Sequence, residues 1–323
     1  MALANMQVFN QYLMDATIET LGQMVDKFNG ASNGAIALSA QGFDGDFFER
    51  SFYQALHGSQ RRVDRYAANG DQAGTNLAQL KESAVKIAGG FGPIIFEPAQ
   101  MAWIQRSEAE AIAVISQNLA QAMLADELNT AIKALVAAIS NQTAAKNDVS
   151  ATNGINYGAI NGAHALFGDR SLDLVAQVMN GATYHKLIGQ NLTNAAELFR
   201  ADGVTIVDIL GKAVIVTDAP DLYEAGTPNL DKVLSLATGA ATILDGSQVV
   251  SNIETSNGKD RIVTSMQADY DFGLALRGYT WDTANGGKSP TDAEIATGSN
   301  WDKVATDIKH TAGVITIGDN AKN

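Results

Sequence analysis

Near the start of the chain, apolar residues recur at steps of three to five: Met6, Phe9, Leu13, Ile18, Leu21, Met24, Val25 and Phe28. This spacing predicts an amphipathic helix over 5–28, ended by Asn29-Gly30 and the polar run Ala31-Ser32-Asn33-Gly34. Such a helix either packs on its own core or reaches out as an arm to a neighbouring subunit. The pattern over 35–98 is less regular. Gly42-Phe43-Asp44-Gly45-Asp46-Phe47-Phe48 mixes turn formers with aromatics, and the charged group Arg61, Arg62, Asp64 and Arg65 follows. Asn69 to Gly74 reads as a loop and Leu80 to Ile87 as a strand. The segment is an extended hairpin or a small subdomain, and periodicity does not separate the two.

From Trp103 to Gln142 there is neither Gly nor Pro, and strong helix formers dominate. Ile112, Ile115, Leu119 and Ala122 begin an apolar stripe, which Leu124, Leu128, Ile132, Leu135 and Ile139 continue with a small phase shift. A helix of about 35 residues spans roughly 50 Å, well beyond the usual 11–12 residues. No second helix of that length is predicted, so this one needs a sheet to lie against. Residues 143–160 read as polar turns and Ser171 to Gly189 as a helix capped by Ser171. Short β-rich runs follow at Val204–Ile209, Ala213–Thr217 and Ala240–Leu244. Arg261–Ala268, Tyr270–Leu276 and Ala312–Ile317 are further strands, with a polar loop from Thr283 to Asn300. The late strands have no helix nearby in sequence, so they are expected to return to the long one.

Composition narrows the function classes. The chain has 323 residues, 46% of them apolar, enough for a sizeable core. It has no cysteine, which removes disulfides, thiolate nucleophiles and Cys-ligated metals. The net charge of −13 argues against a protein that grips nucleic-acid phosphates. The N-terminus lacks the charged and apolar regions of a signal peptide, and no apolar run is long enough to span a membrane. The expected setting is therefore a cytoplasm-like compartment.

Candidate chemistry is sparse. His57, His164, His185 and His310 are scattered, with no metal-ligand spacing. Gly89-Gly90-Phe91-Gly92-Pro93 lacks the ending of a phosphate loop and reads as a hinge ahead of the long helix. The pairs Asp44/Asp46 and Asp269/Asp271 read as solvated turn acids, since the remaining ligands of a calcium loop are missing. Trp103, Trp281 and Trp301 are core or interface anchors. No catalytic residue, cofactor or metal ligand is predicted.

Several phrases, in order and at matching intervals, resemble the major capsid proteins of tailed bacteriophages with the Hong Kong 97 phage fold. They are Phe28-Asn29-Gly30-Ala31-Ser32-Asn33-Gly34-Ala35-Ile36, Lys86-Ile87-Ala88 running into Gly92-Pro93-Ile94, and Leu135-Val136-Ala137-Ala138-Ile139. Asn300-Trp301 and Thr311-Ala312-Gly313-Val314 complete the set. The resemblance implies an α+β subunit with an N-terminal arm over 1–35 and an extended loop over 36–95. It implies a peripheral domain over 96–149 and 259–323, with a spine helix at about 100–142, and an axial domain over 150–258. It also implies self-assembly as hexamers and pentamers into an icosahedral shell, located in the virion and assembled in the host cytoplasm. Packaged double-stranded DNA would be enclosed without specific binding, which suits an acidic wall. A portal and separate scaffolding or decoration proteins are the implied partners, with no membrane and no N-terminal processing. Phe9, Phe28, Arg61, Arg62, Arg65, Lys81, Glu82 and Trp301 are the candidate inter-subunit contacts. An encapsulin-like compartment shell and a tail tube or sheath subunit are the alternatives.

Overall fold

In a computed structural model, the protein is described at residues 13, 16–17, 29, 32–39, 47–53, 60–68, 70–74, 76–77, 79–96, 108–198, 212–257, 260 and 262–322. In chain order the strands are β1 (Ile36–Ser39), β2 (Phe47–Tyr53), β3 (Gln79–Phe96), β4 (Lys146–Asp148) and β5 (Leu174–Met179). Next come β6 (Ala213–Val216), β7 (Tyr223–Glu224), β8 (Leu230–Ala237), β9 (Ala241–Ser256) and β10 (Val263–Leu276). The last are β11 (Tyr279–Trp281), β12 (Trp301–Lys303) and β13 (Gly313–Asp319). The helices are α1 (Glu108–Ser140), α2 (Tyr157–Leu166), α3 (Gly181–Leu198) and α4 (Asp292–Ile295).

The long Gly- and Pro-free stretch is the 33-residue α1, about 50 Å from end to end. Its first half buries one face, with Leu119 and Met123 covered and Val114 exposed. Its last third is enclosed: Thr130, Ala131, Ile132 and Ala134 through Ile139 are all buried. The alanines allow neighbours to close in there. Ile132, Leu135 and Ile139 share one core with Leu234 and Leu236 of β8, Phe272 and Leu274 of β10, and Ile315 and Ile317 of β13. The late strands thus return to the long helix as the sequence predicts.

A five-stranded sheet runs in the order β1-β9-β10-β3-β2, with β1 and β9 parallel and the other pairs antiparallel. The 36–95 segment contains the extended hairpin, since β2 pairs with β3 from Phe47↔Val85 to Tyr53↔Gln79. The two runs expected around Asp269 form the single strand β10. Met266, Ala268, Tyr270, Phe272 and Leu274 point to the core, and Gln267 and Asp269 to the outside. Asp269 and Asp271 are therefore strand residues, not turn acids, and Asp271 pairs with Lys86 at 2.7 Å.

The Gly89–Pro93 cluster is also no hinge, because it lies inside β3. Tyr270 sits directly across from Gly89, and a Cβ at Gly89 would come within 2.6 Å of the Tyr270 ring. The missing side chain makes room for the ring, which stacks on Phe91 at 5.4 Å.

A second, six-stranded sheet has the order β4-β13-β8-β5-β6, with β7 beside β8. Here the expectation of one helix over 171–189 fails. Leu174–Met179 is β5, buried almost throughout, and α3 begins only at Gly181. A strand buried on both faces shows an unbroken apolar run, which pattern alone does not tell from a buried helix. Conversely, α2 lies where polar turns were expected. Asn156 caps it by accepting from the Ala159 N–H at 2.8 Å. Gly162 weakens its sequence signal, yet a Cβ there would stand 2.9 Å from Asn147 Nδ2. The polar loop expected over 283–300 also contains the short α4, closed by a Thr291–Glu294 capping box.

The pairing does not follow the expected segment boundaries. β9, from the 150–258 segment, joins the sheet of β10 and β3, while β13 joins the sheet of β5 and β8. The strand expected at 204–209 lies outside the described residues.

Candidate functional site

The described part of the connection between β2 and β3 is open to solvent. Its described residues, 60–68, 70–74 and 76–77, carry no helix or strand and are all exposed. Tyr66 is 92% exposed, Val63 65% and Leu77 51%. Arg61, Arg62 and Arg65 are exposed too and make no ion pair among the described residues. A tight turn, with the Tyr66 N–H donating to Asp64 Oδ1 at 2.9 Å, sets the Arg65 guanidinium over the Tyr66 ring at 5.9 Å. Arginine and tyrosine beside an apolar residue are the side chains that anchor protein interfaces. The arginines are among the contacts expected from the sequence, whereas Val63 and Tyr66 are not. An aromatic inside an arginine run on a turn-rich segment was the available signal.

The other candidates fall elsewhere. Lys81 is exposed on β3, whereas Glu82 turns back into its own subunit. Its Oε1 accepts from the Gly278 N–H at 2.9 Å, and the Ser83 N–H donates to Thr280 Oγ1 at 3.0 Å. These two bonds tie the base of the loop to the turn before β11. Glu82 is thus an internal latch whose side chain stays half-exposed beside Lys81. Substituting Glu82 by Ala is expected to cost about 1–2 kcal/mol and to raise hydrogen exchange in peptides covering 79–85 and 277–281. Unchanged exchange at both would exclude the latch.

Trp301 also departs from expectation. It is fully buried and meets Trp281 edge-on, with ring centroids 4.7 Å apart. Its Nε1–H donates to the Ile295 carbonyl at 3.0 Å. It therefore anchors the core of its own subunit and offers no surface to another. Phe9 and Phe28 lie outside the described residues. Leu13, from the same predicted helix, is buried against Leu119, Met266 and Ala268 of its own chain. Asn29 brackets Leu38 through both backbone groups, at 2.8 and 2.9 Å.

The titratable groups build structure. Burial foremost, then the hydrogen bond to Asp126, lifts the Tyr270 phenol far above its ordinary range. That bond, at 2.6 Å, ties β10 to α1. Burial pushes Tyr279 up to about 12. His164 Nε2 lies 3.0 Å from Ser235 Oγ, a pairing that looks like a nucleophile and its base. However, Ser235 is fully buried and His164 nearly so, and burial followed by Lys212 lowers the imidazole to about 4. A base so weak, under a helix, does not serve an incoming substrate. His310 meets Arg170 at 2.8 Å, His185 packs edge-on to Tyr184, and His57 lies outside the described residues. Among the described residues no three His, Asp or Glu side chains gather as metal ligands. None of the described helices is long and apolar enough to cross a membrane.

A family model, Gp13-like or major capsid protein 13-like, matches residues 5–315. The chain belongs to this major capsid protein family. Solved structures agree in fold. The capsid asymmetric unit of cyanophage Pam1 is similar with a TM-score of 0.53 at 11% identity, over 89% of each chain. A structure from Mycobacterium phage Adephagia has the same TM-score and identity, over 90% of this chain and 88% of the other. This family member thus has the Hong Kong 97 phage fold. No curated protein matches the sequence.

Proposed function

We infer that the protein is the shell-forming subunit of a tailed-phage head, assembling through hexamers and pentamers into an icosahedral shell around packaged double-stranded DNA. The exposed, arginine-bearing 60–77 loop on a capsid fold carries this reading. It buries little within its own chain, so its tyrosine, valine and arginines gain value when a neighbour covers them. Identical subunits joined head to tail close into rings, and weak contacts repeated across a shell add up. Lys81, at the foot of the loop, belongs to the same proposed contact, as do Phe9 and Phe28 at the chain start. In this reading 1–35 is the arm, 36–95 the loop, 96–149 with 259–323 the peripheral domain and 150–258 the axial domain. The protein acts by assembly, not catalysis, in the host cytoplasm, with a portal and separate scaffolding or decoration proteins as partners.

The test is expression of the full chain with and without the other head genes, followed by light scattering and electron microscopy. Closed particles with DNA inside are the expected product of the complete gene set. Particles that hold a protein cargo instead would point to a compartment shell. A chain that stays monomeric in both settings would overturn the assembly reading.

A further inference from the structure

Helix α2 lies over β8 and β13, and the layer between them is polar. His164, 7% exposed, meets the fully buried Ser235 of β8 there. In the strand register Gln177 lies directly across from Ser235 on one side and Val314 on the other. Thr316 is the next residue of β13 on that face. Gln177 and Thr316 are both fully buried. Both amide atoms of Gln177 and the Thr316 hydroxyl have no hydrogen-bond partner among the described residues. Polar atoms closed away in this state are unfavourable, and water entering the layer would satisfy all three.

Among the described residues, the charges around this layer give a protonated imidazole no counter-ion. Helix α2 contributes no charged residue besides His164, and β5 none at all. On β8, Asp231 is held by Lys186, Asn180 and Asn320, and Lys232 pairs with Glu224. On β13, Asp319 pairs with Lys322. Lys146 and Asp148 of β4 flank Asn147 and so point to the opposite face. In the adjoining turn Asp169 pairs with Lys309, and Arg170 with Asp173 and His310. Lys212, whose Nζ donates to the Ser171 carbonyl at 3.2 Å, adds a positive charge on the His164 side.

We propose that this seam is an acid-opened joint, in which protonation of His164 parts α2 from β8 and β13 and lets water reach Gln177 and Thr316. The sign follows from the titration. Closed, the seam holds His164 near 4, against an ordinary 6.5, so the open state binds more protons. The closed seam is at full strength above about 6.5 and weakens as pH falls toward 4. Between about pH 7.5 and 4 the ratio of open to closed forms rises roughly 150-fold.

Hydrogen exchange read by mass spectrometry on the full-length protein tests the joint, at steps from pH 7.5 to 4.5 and corrected for intrinsic rates. Peptides covering 157–166 and 230–237 should lose protection below pH 6 while those covering 119–139 keep theirs. His164→Gln, which has no titrating ring, should show no such step. Unchanged protection in the wild type down to pH 4.5, or the same step in the variant, would overturn the proposal. Should the variant not fold, exchange at the His164 ring carbon of the wild type decides. A midpoint well below 6.5 supports the joint, and one at or above 6.5 refutes it.

Discussion

Replacing Arg61, Arg62 and Arg65 together by alanine is expected to cut the yield of particles about tenfold or more, while the isolated subunit melts at its usual temperature. All three side chains are exposed and form no ion pair among the described residues, so their removal takes nothing from the subunit's own core. Substitutions at such positions generally change stability by less than about 0.5 kcal/mol. In the shell the balance differs. An exposed charge pair is worth roughly 0.2–1 kcal/mol, but three losses in every subunit act together, and about 1.4 kcal/mol per subunit already shifts each contact tenfold. Sedimentation velocity measures the particle fraction, and a thermal scan of the dissociated subunit measures the fold. Raised salt should mimic part of the effect by screening. Particles at wild-type yield would remove the loop from the list of assembly contacts.

Trp301→Ala should act in the opposite way, on the subunit first. The side chain is fully buried, stands edge-on to Trp281 and donates to the Ile295 carbonyl. Truncating a buried tryptophan costs about 3–5 kcal/mol. That is a large share of the 5–15 kcal/mol that holds a typical domain together. The variant should be mostly insoluble at 37 °C, or show a strongly lowered urea midpoint when refolded in the cold. Trp301→Phe keeps much of the packing and should lose only the indole donor and some contact, about 1–2 kcal/mol. A Trp301→Ala subunit of normal stability that fails to assemble would return this residue to an interface.

The arginine run was legible as an exposed candidate, whereas the burial of Trp301 was not. Elements with a one-sided pattern were legible in whole or in part: α1 through its Gly- and Pro-free stripe, β10 as two strands split at Asp269, and the β2–β3 hairpin as one of two readings of its segment. Elements buried on both sides were not. β5 reads as a buried helix because neither face meets water, and α2 hides behind Gly158 and Gly162, the latter required by the closeness of Asn147. The glycines of β3 looked like a hinge because only the partner strand reveals the Tyr270 ring that fills their place. For the candidate site, composition pointed to the arginine run. It could not tell an outward glutamate from one that turns back to Gly278, nor a tryptophan on a surface from one beneath it, since both depend on segments far away in the chain.

The pairing of β3 with β10 also bears on how the protein is made. Gly90 faces Asp269, and the whole of α1 and the six-stranded sheet's β4, β5, β6 and β8 are threaded between them. Pairings this distant form late and slowly, and until they form the apolar faces of both strands stay open to aggregation. Refolding of the dilute subunit is therefore expected to be slow and to lose material to aggregation as its concentration rises.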